Sequence, residues 1–198
     1  PNTITINTGA VLTGDAGILS GAQINVLGYT VNNAGSLSGQ EYGIDSTGFD
    51  VLVVNTGTIR GVTLDGIHAG GGSTVTNNIG TIIGGTNGIS FDSAGGIVSS
   101  TGNITGTAGS GVSAISGLNL YTSGDLIGNT GVNVTGAGSI INVVGGGLIR
   151  GTGGTAIQLG GGGNTVTLTN GEIEGDIIAG GTTNNLVAGT GVVEGSVS

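Results

Sequence analysis

The sequence predicts an all-β chain folded as a right-handed parallel β-helix, a solenoid of about nine coils of roughly 22 residues. Three observations predict it. First, a five-residue frame, Gly-x-[Ile/Leu/Val]-x-Gly, returns at 35–39, 57–61, 80–84, 102–106, 124–128, 147–151, 171–175 and 191–195. The successive steps are 22, 23, 22, 22, 23, 24 and 20 residues, and a period this regular is the signature of a solenoid. Second, no segment carries the i, i+3, i+4, i+7 apolar pattern of an amphipathic helix. Third, hydrophobic residues make up 36% of the chain and charged residues only 7%, whereas a disordered chain needs low hydrophobicity and high charge. The repeat runs through 1–198 as one domain, without a linker or a charge run.

Each coil reads as three short strands. The frame supplies one, after a stretched first copy at 9–14. A Gly-Ile, Gly-Val or Ala-Ile pair starts the next, at Gly17-Ile18, Gly43-Ile44, Gly66-Ile67, Gly88-Ile89, Gly111-Val112, Gly131-Val132 and Ala156-Ile157. An alternating run supplies the third: Ile24-Asn25-Val26, Val51-Leu52-Val53, Leu118-Asn119-Leu120, Ile141-Asn142-Val143 and Val166-Thr167-Leu168. Strand side chains alternate between two faces, and Gly and Asn turn the corners between strands. Stacking at ~4.8 Å per coil gives a rod of roughly 43 Å. Parallel crossovers are strongly biased to the right hand.

Stacked coils place equivalent residues in columns. Ile59, Ile82, Ile104, Leu126, Ile149 and Ile173 form the expected inner column. Two places before each frame glycine stand Asn7, Asn33, Asn55, Asn78, Ser100, Thr122, Gly145, Thr169 and Gly189. The first part of that column is expected to be a side-chain hydrogen-bond ladder, as in other stacked β structure. Its decay to Gly predicts less regular C-terminal coils. Residues 160–163 and 179–183 read as flexible corners.

Residues 54–198 resemble the passenger region of bacterial autotransporters (type V secretion). The likeness lies in Val-x-Asn-x-Gly-x-Ile-x-Gly around 54–61 and in part 75–84, and in the stretch 155–168 followed by Gly171-Glu172-Ile173-Glu174-Gly175-Asp176-Ile177. Residues 1–53 fit the same repeat more loosely. The resemblance implies a right-handed β-helix, secreted or exposed at the cell surface of a Gram-negative bacterium, in a family that includes adhesins and matrix proteins. Two departures from that family are expected: no barrel translocator after Ser198, and no protease-like domain.

Composition narrows the partners. Eleven acidic residues face Arg60 and Arg150, with no Lys, for a formal charge of −9. Nucleic acid and anionic membrane surfaces both call for a basic footprint. No run approaches the ~18 apolar residues of a membrane span. No basic N-terminal region precedes an apolar stretch, so a signal peptide is expected to be absent or already removed. With no Cys, disulfides and thiolate metal sites are excluded. No cofactor is expected.

The most enzyme-like coincidence is Asp45, His68 and Ser90, each following a Gly-Ile pair in consecutive coils. A triad needs hydrogen-bond contact, an oxyanion hole and a cleft. The column continues as Ser113, Asn133 and Gln158, which reads as a solvated polar face. A polysaccharide-active enzyme would need convergent carboxylates and sugar-stacking aromatics. Here Asp15, Asp45, Asp50, Asp65, Asp92 and Asp125 are spread along the rod, and only Tyr29, Tyr42, Phe49, Phe91 and Tyr121 are aromatic. The expectation is therefore not an enzyme. Gly160 to Val166 is similar to a calcium-binding Gly-Gly-x-Gly-x-Asp repeat, but Thr165 occupies the Asp place and a hard cation needs several oxygens. Glu174 should stack on Arg150 as a surface ion pair. An ice-binding face needs a recurring Thr column, and Thr165, Thr167 and Thr169 lie along one strand.

The ends direct the functional expectation. The chain enters in a strand, Thr3-Ile4-Thr5-Ile6, and leaves in one, 192–197. Solenoids normally carry polar caps over such edges. Either more solenoid continues the chain, or another copy covers each end. Ile4, Ile6, Val192, Val193 and Val197 are then the expected end-to-end contacts, and head-to-tail stacking generates an open filament. The expected role is structural, in adhesion or a biofilm matrix. Expected partners are the chain itself and glycans or proteins of a host or cell surface. A polysaccharide-active enzyme and an ice-binding protein are the competing classes.

Overall fold

The computed structural model describes residues 2–14, 18–19 and 29–198. Every regular element among them is a β-strand, and every strand pairing is parallel. The structure is a β-solenoid whose coils follow one another about every 22 residues. One sheet has nine strands in simple ascending order: Asn2–Ile6, Tyr29–Asn33, Val51–Asn55, Thr74–Asn77, Ile97–Ser100, Asn119–Thr122, Ile140–Val144, Thr165–Thr169 and Asn185–Ala188. Nine rungs are separated by eight turns, or ~38 Å at the usual strand spacing. The predicted run Ile24-Asn25-Val26, with Asp15 and Gly17, lies outside the described residues.

The frame strands stack as the second wall. Val11–Gly14, Ser36–Gly39, Thr58–Gly61, Thr81–Gly84 and Asn103–Gly106 pair in register, glycine on glycine. The third wall is Ile18–Leu19, Ile44–Ser46, Ile67–Ala69, Ile89–Phe91 and Ser110–Ala114. From the sixth coil on, the expected three strands per coil become two. The second and third walls fuse into the bent strands Asp125–Val134, Leu148–Leu159 and Glu172–Ala179. The fused strands bend where the register shifts, between Gly128 and Thr130 and between Arg150 and Thr155. The expected irregularity of the C-terminal coils takes this form.

Alternation decides what is buried. In Val51–Asn55 the side chains of Val51, Val53 and Asn55 point in and Leu52 points out. The inner column predicted from the frame is present: Ile59, Ile82, Ile104, Leu126, Ile149 and Ile173 are all buried and paired in sequence. A second inner column runs Ile44, Ile67, Ile89, Val112, Val132, Ile157 and Ile177. Each rung buries apolar surface only against its neighbours, so stability is close to a sum over adjacent pairs.

The frame glycines have a steric cause. A Cβ on Gly57 would stand 2.1 Å from the carbonyl oxygen of Gly35 in the coil before. A Cβ on Gly84 would stand 1.7 Å from the carbonyl oxygen of Asn87, three residues on in its own coil. The first glycine of a frame thus lets two coils touch, and the second lets one coil fold back on itself. At Gly57 and Gly84 the φ is ordinary, and glycine is required because only a hydrogen fits.

The polar ladder exists, with corrections. Asn33 Nδ2 donates to Asn55 Oδ1 at 2.7 Å, and Asn55 Nδ2 donates to Asn77 Oδ1 at 2.8 Å. Asn77 Nδ2 then reaches Ser100 Oγ at 3.2 Å. The third member is Asn77, not Asn78. The strand Thr74–Asn77 carries its in-out alternation through Asn77, and the extra corner residue of this 23-residue step is absorbed by Ile79. Ile79 takes a positive φ of 55° and is 78% exposed. Asn78 instead accepts from Thr101 Oγ1 on the surface. Asn7 is exposed and stands outside the ladder. Thr122 is buried but bonds only within its own corner, donating to the Gly124 carbonyl at 3.0 Å. Its hydroxyl is too short to reach Ser100.

Candidate functional site

Two places qualify: the column beginning at Asp45, and the ends of the rod. The column is in register, as Asp45 pairs with His68, His68 with Ser90, Ser90 with Ser113, and the series continues through Asn133 and Gln158. All stand at the outward position of the third wall. His68 Nδ1 lies 3.9 Å from Asp45 Oδ1, beyond hydrogen-bond range. It is buried without a hydrogen-bond partner. Asp45 Oδ1 instead accepts from the backbone N–H and hydroxyl of Thr47, at 3.1 and 2.5 Å. No hydrogen bond links His68 to Ser90. The geometry is a parallel column whose members are one coil apart, and a nucleophile–base–carboxylate relay needs contact at each step.

Two neighbours of this column escaped the sequence reading. The Tyr42 ring tilts over His68 with centroids 5.2 Å apart. Burial, then the nearby Asp45, Asp65 and Glu41 carboxylates, push the Tyr42 phenol above its ordinary pKa. Asp65 is buried. Burial raises its pKa, opposed by the Asn87 backbone N–H and side-chain amide that donate to Oδ1 at 2.9 and 3.0 Å. Nothing in the sequence separates Asp65 from the exposed acids, because its burial comes from the corner after Gly61 folding inward.

Asp92 and Glu174 make structural bonds. Asp92 Oδ2 accepts the Gly48 N–H at 2.7 Å, reaching back across two coils. Arg150 and Glu174 are paired in register, as expected, with Nη2 donating to Oε1 at 2.8 Å and Nε to Oε2. That donation holds the Glu174 carboxyl below its usual range. Among the described residues no three His, Asp or Glu side chains converge as a metal site would require. The corner at 160–163 is tied down by Asn164, which is buried and donates to the Gly161 carbonyl at 2.7 Å. Asn164 belongs to a second ladder that the sequence reading missed. Ser139 donates its N–H to Asn164 Oδ1, and Asn164 donates to Asn184 Oδ1. Its sequence signal is the Ser or Asn one residue before four strands of the nine-stranded sheet, at Ser73, Ser139, Asn164 and Asn184. Thr165 and Thr167 stack on Ile140 and Asn142 and beneath Asn185 and Val187, so no Thr column forms there.

The predicted end residues fall at both ends of the rod. Ile4 and Ile6 sit in the first strand of the nine-stranded sheet, in register with Val31 and Asn33. Ile6 is buried and Ile4 packs partly on the core. At the other end Val193 pairs with Ile173 at the last rung of the inner column, and Val197 bridges Ile177. Val192 differs: it follows Glu172 on the outer flank and is exposed, so it points out of the rod rather than into its interior. A hollow of about 310 Å³ opens at this end, lined by Leu159, Val166, Ile177, Ala179, Leu186 and Val197 among others.

Comparison with protein-family models, curated proteins and solved structures finds no match for this chain.

Proposed function

We propose that this chain is a structural β-solenoid, secreted by or exposed on a Gram-negative bacterium, which acts in adhesion or extracellular matrix and stacks end to end with other copies. The observation that carries this reading is the continuity of the interior. The core columns run to both terminal rungs, where Ile4 and Val193 are only partly covered. A further rung, from continuing chain or from another copy, completes both the columns and the backbone ladder at ~4.8 Å. The surface setting rests on the resemblance of 54–198 to autotransporter passengers. Cell-surface glycans and proteins are the partners that an adhesive rod would meet.

The test combines electron microscopy and light scattering with an adherence assay on cells displaying the chain. Filaments or end-joined rods, shortened by Ile4→Lys and by Val193→Lys, support the reading. Single rods at high concentration that are indifferent to both changes sink the stacking. Turnover of a polysaccharide that is lost in His68→Ala would replace the structural reading with an enzymatic one, and thermal hysteresis would replace it with ice binding.

A further inference from the structure

Among the described residues, the outward strand positions of the nine-stranded sheet carry no charge. Its outward residues form two columns. One runs Thr3, Thr30, Leu52, Thr74, Ile97, Asn119, Ile140, Thr165 and Asn185. The other runs Thr5, Asn32, Val54, Thr76, Ser99, Tyr121, Asn142, Thr167 and Val187. No Asp, Glu, Arg or His stands among these positions. By contrast, the outward positions of the other walls carry Asp45, His68, Arg60, Asp125, Arg150, Glu172, Glu174 and Glu194. The neutral face also gathers exposed apolar side chains: Leu52, Ile97, Tyr121, Ile140 and Val187 are each 42–48% exposed.

We propose that this face is a self-association surface on which a second copy of the chain packs sheet to sheet, with the two rods side by side. Charge selects the occupant. The chain carries −9, and like charges brought together across an interface cost heavily. Two copies can meet over these columns with no carboxylate inside them; the exposed Asp50 stands at their edge, beside Thr30, Leu52 and Thr74. Area permits it as well. Nine strands at ~4.8 Å, each presenting about 15 Å of length, give ~600 Å² per copy and ~1,200 Å² in all, the lower edge of a stable interface. Depletion of charge with retained aliphatic and Tyr side chains is the composition of an interface core. Stacked sheets of this kind pack ~10 Å apart with interdigitating side chains. A flat neutral glycan is the rival occupant, but it calls for aromatic stacking platforms, and Tyr121 is the one aromatic on the face. The contact is lateral and independent of the ends of the rod.

Ile97–Ser100 is the fifth of the nine strands, so it faces its own copy under a two-fold axis lying either along or across the rods. Ser99 is exposed, and the chain has no cysteine. Sedimentation equilibrium of the parent chain should show a concentration-dependent dimer. Ser99→Glu should weaken it at least ~10-fold, since like charges opposed in an interface cost more than the 1.4 kcal/mol that a factor of ten represents. Asn103→Glu adds the same charge to an exposed position on the frame wall and should leave the dimer unchanged. Ser99→Cys should give a covalent dimer with a short thiol cross-linker where Asn103→Cys does not; this readout keeps the neutral face intact. A chain that stays monomeric laterally, a dimer equally sensitive to Ser99→Glu and Asn103→Glu, or equal cross-linking by both cysteines would each overturn the proposal. Monomers that co-sediment with an insoluble neutral polysaccharide, and lose this with Ser99→Glu, would assign the face to glycan instead. End-to-end stacking can fail in the Ile4→Lys and Val193→Lys variants while this dimer persists, so the two readings are tested separately.

Discussion

Replacing Asn55 by alanine tests whether the buried polar ladder holds neighbouring coils together. Asn55 is fully buried. Its Oδ1 accepts from Asn33 at 2.7 Å and its Nδ2 donates to Asn77 at 2.8 Å, with a longer approach to the Thr81 carbonyl at 3.4 Å, so it bonds to both neighbouring coils. Nδ2 also approaches the Gly57 carbonyl at 3.2 Å. Asn33 Nδ2 keeps a second acceptor, the Thr58 carbonyl at 2.9 Å. Asn77 Oδ1 has no other donor and would be left buried and unsatisfied. Two lost bonds at about 1 kcal/mol each and one orphaned acceptor at about 1 kcal/mol or more give a cost of ~3 kcal/mol. Thr122→Val is the internal comparison. Thr122 bonds only to Gly124 of its own corner, so its loss should cost ~1–2 kcal/mol. Urea unfolding followed by circular dichroism measures both, and the double variant Asn55→Ala with Asn77→Ala should show a coupling of ~1 kcal/mol. A cost for Asn55→Ala no larger than for Thr122→Val, or a coupling near zero, would refute the idea that the ladder acts between coils.

Two further outcomes follow from the same structure. Gly57→Ala should prevent folding or cost well over ~3 kcal/mol, because its Cβ meets a backbone oxygen of the neighbouring coil at 2.1 Å and the cross-coil ladder cannot yield. Gly138→Ala, at φ 74° with open space around its Cβ, should cost only about 1 kcal/mol; thermal melts that rank the two the other way would contradict the steric account. For Asp65, burial raises the folded-state pKa above the ordinary carboxylate value. Its contribution to stability is therefore fully present below that ordinary value and is lost as pH rises through the raised one. Asp65→Asn keeps an oxygen for the Asn87 donors and removes the buried charge, so it should stabilise the chain at neutral pH and not in acid. A pH series of urea midpoints with no difference between the two limbs would show that the charge is not desolvated.

The sequence by itself determined the period, the strand faces and the inner columns. The first Gly of the frame is forced by the coil before, the second by its own coil folding back, and the central Ile by packing on its neighbours, so the repeat is written wherever the coil is. Register follows, because slipping a strand by one residue would turn Ile59 or Ile104 outward. Only the tertiary structure decided how corners absorb unequal coil lengths. Asn77 replaces Asn78 in the ladder because the extra residue of that coil is spent at Ile79, and a count back from glycine cannot tell on which side of the corner the surplus falls. The second ladder through Ser139, Asn164 and Asn184, and the burial of Asp65, arise from contacts between segments some 20 to 25 residues apart. The Asp45, His68 and Ser90 column shows the same division. Sequence spacing aligned the three correctly, but hydrogen-bond reach is set by side-chain direction across a ~4.8 Å strand spacing, and there the His68 ring turns to Tyr42 while Asp45 turns to Thr47.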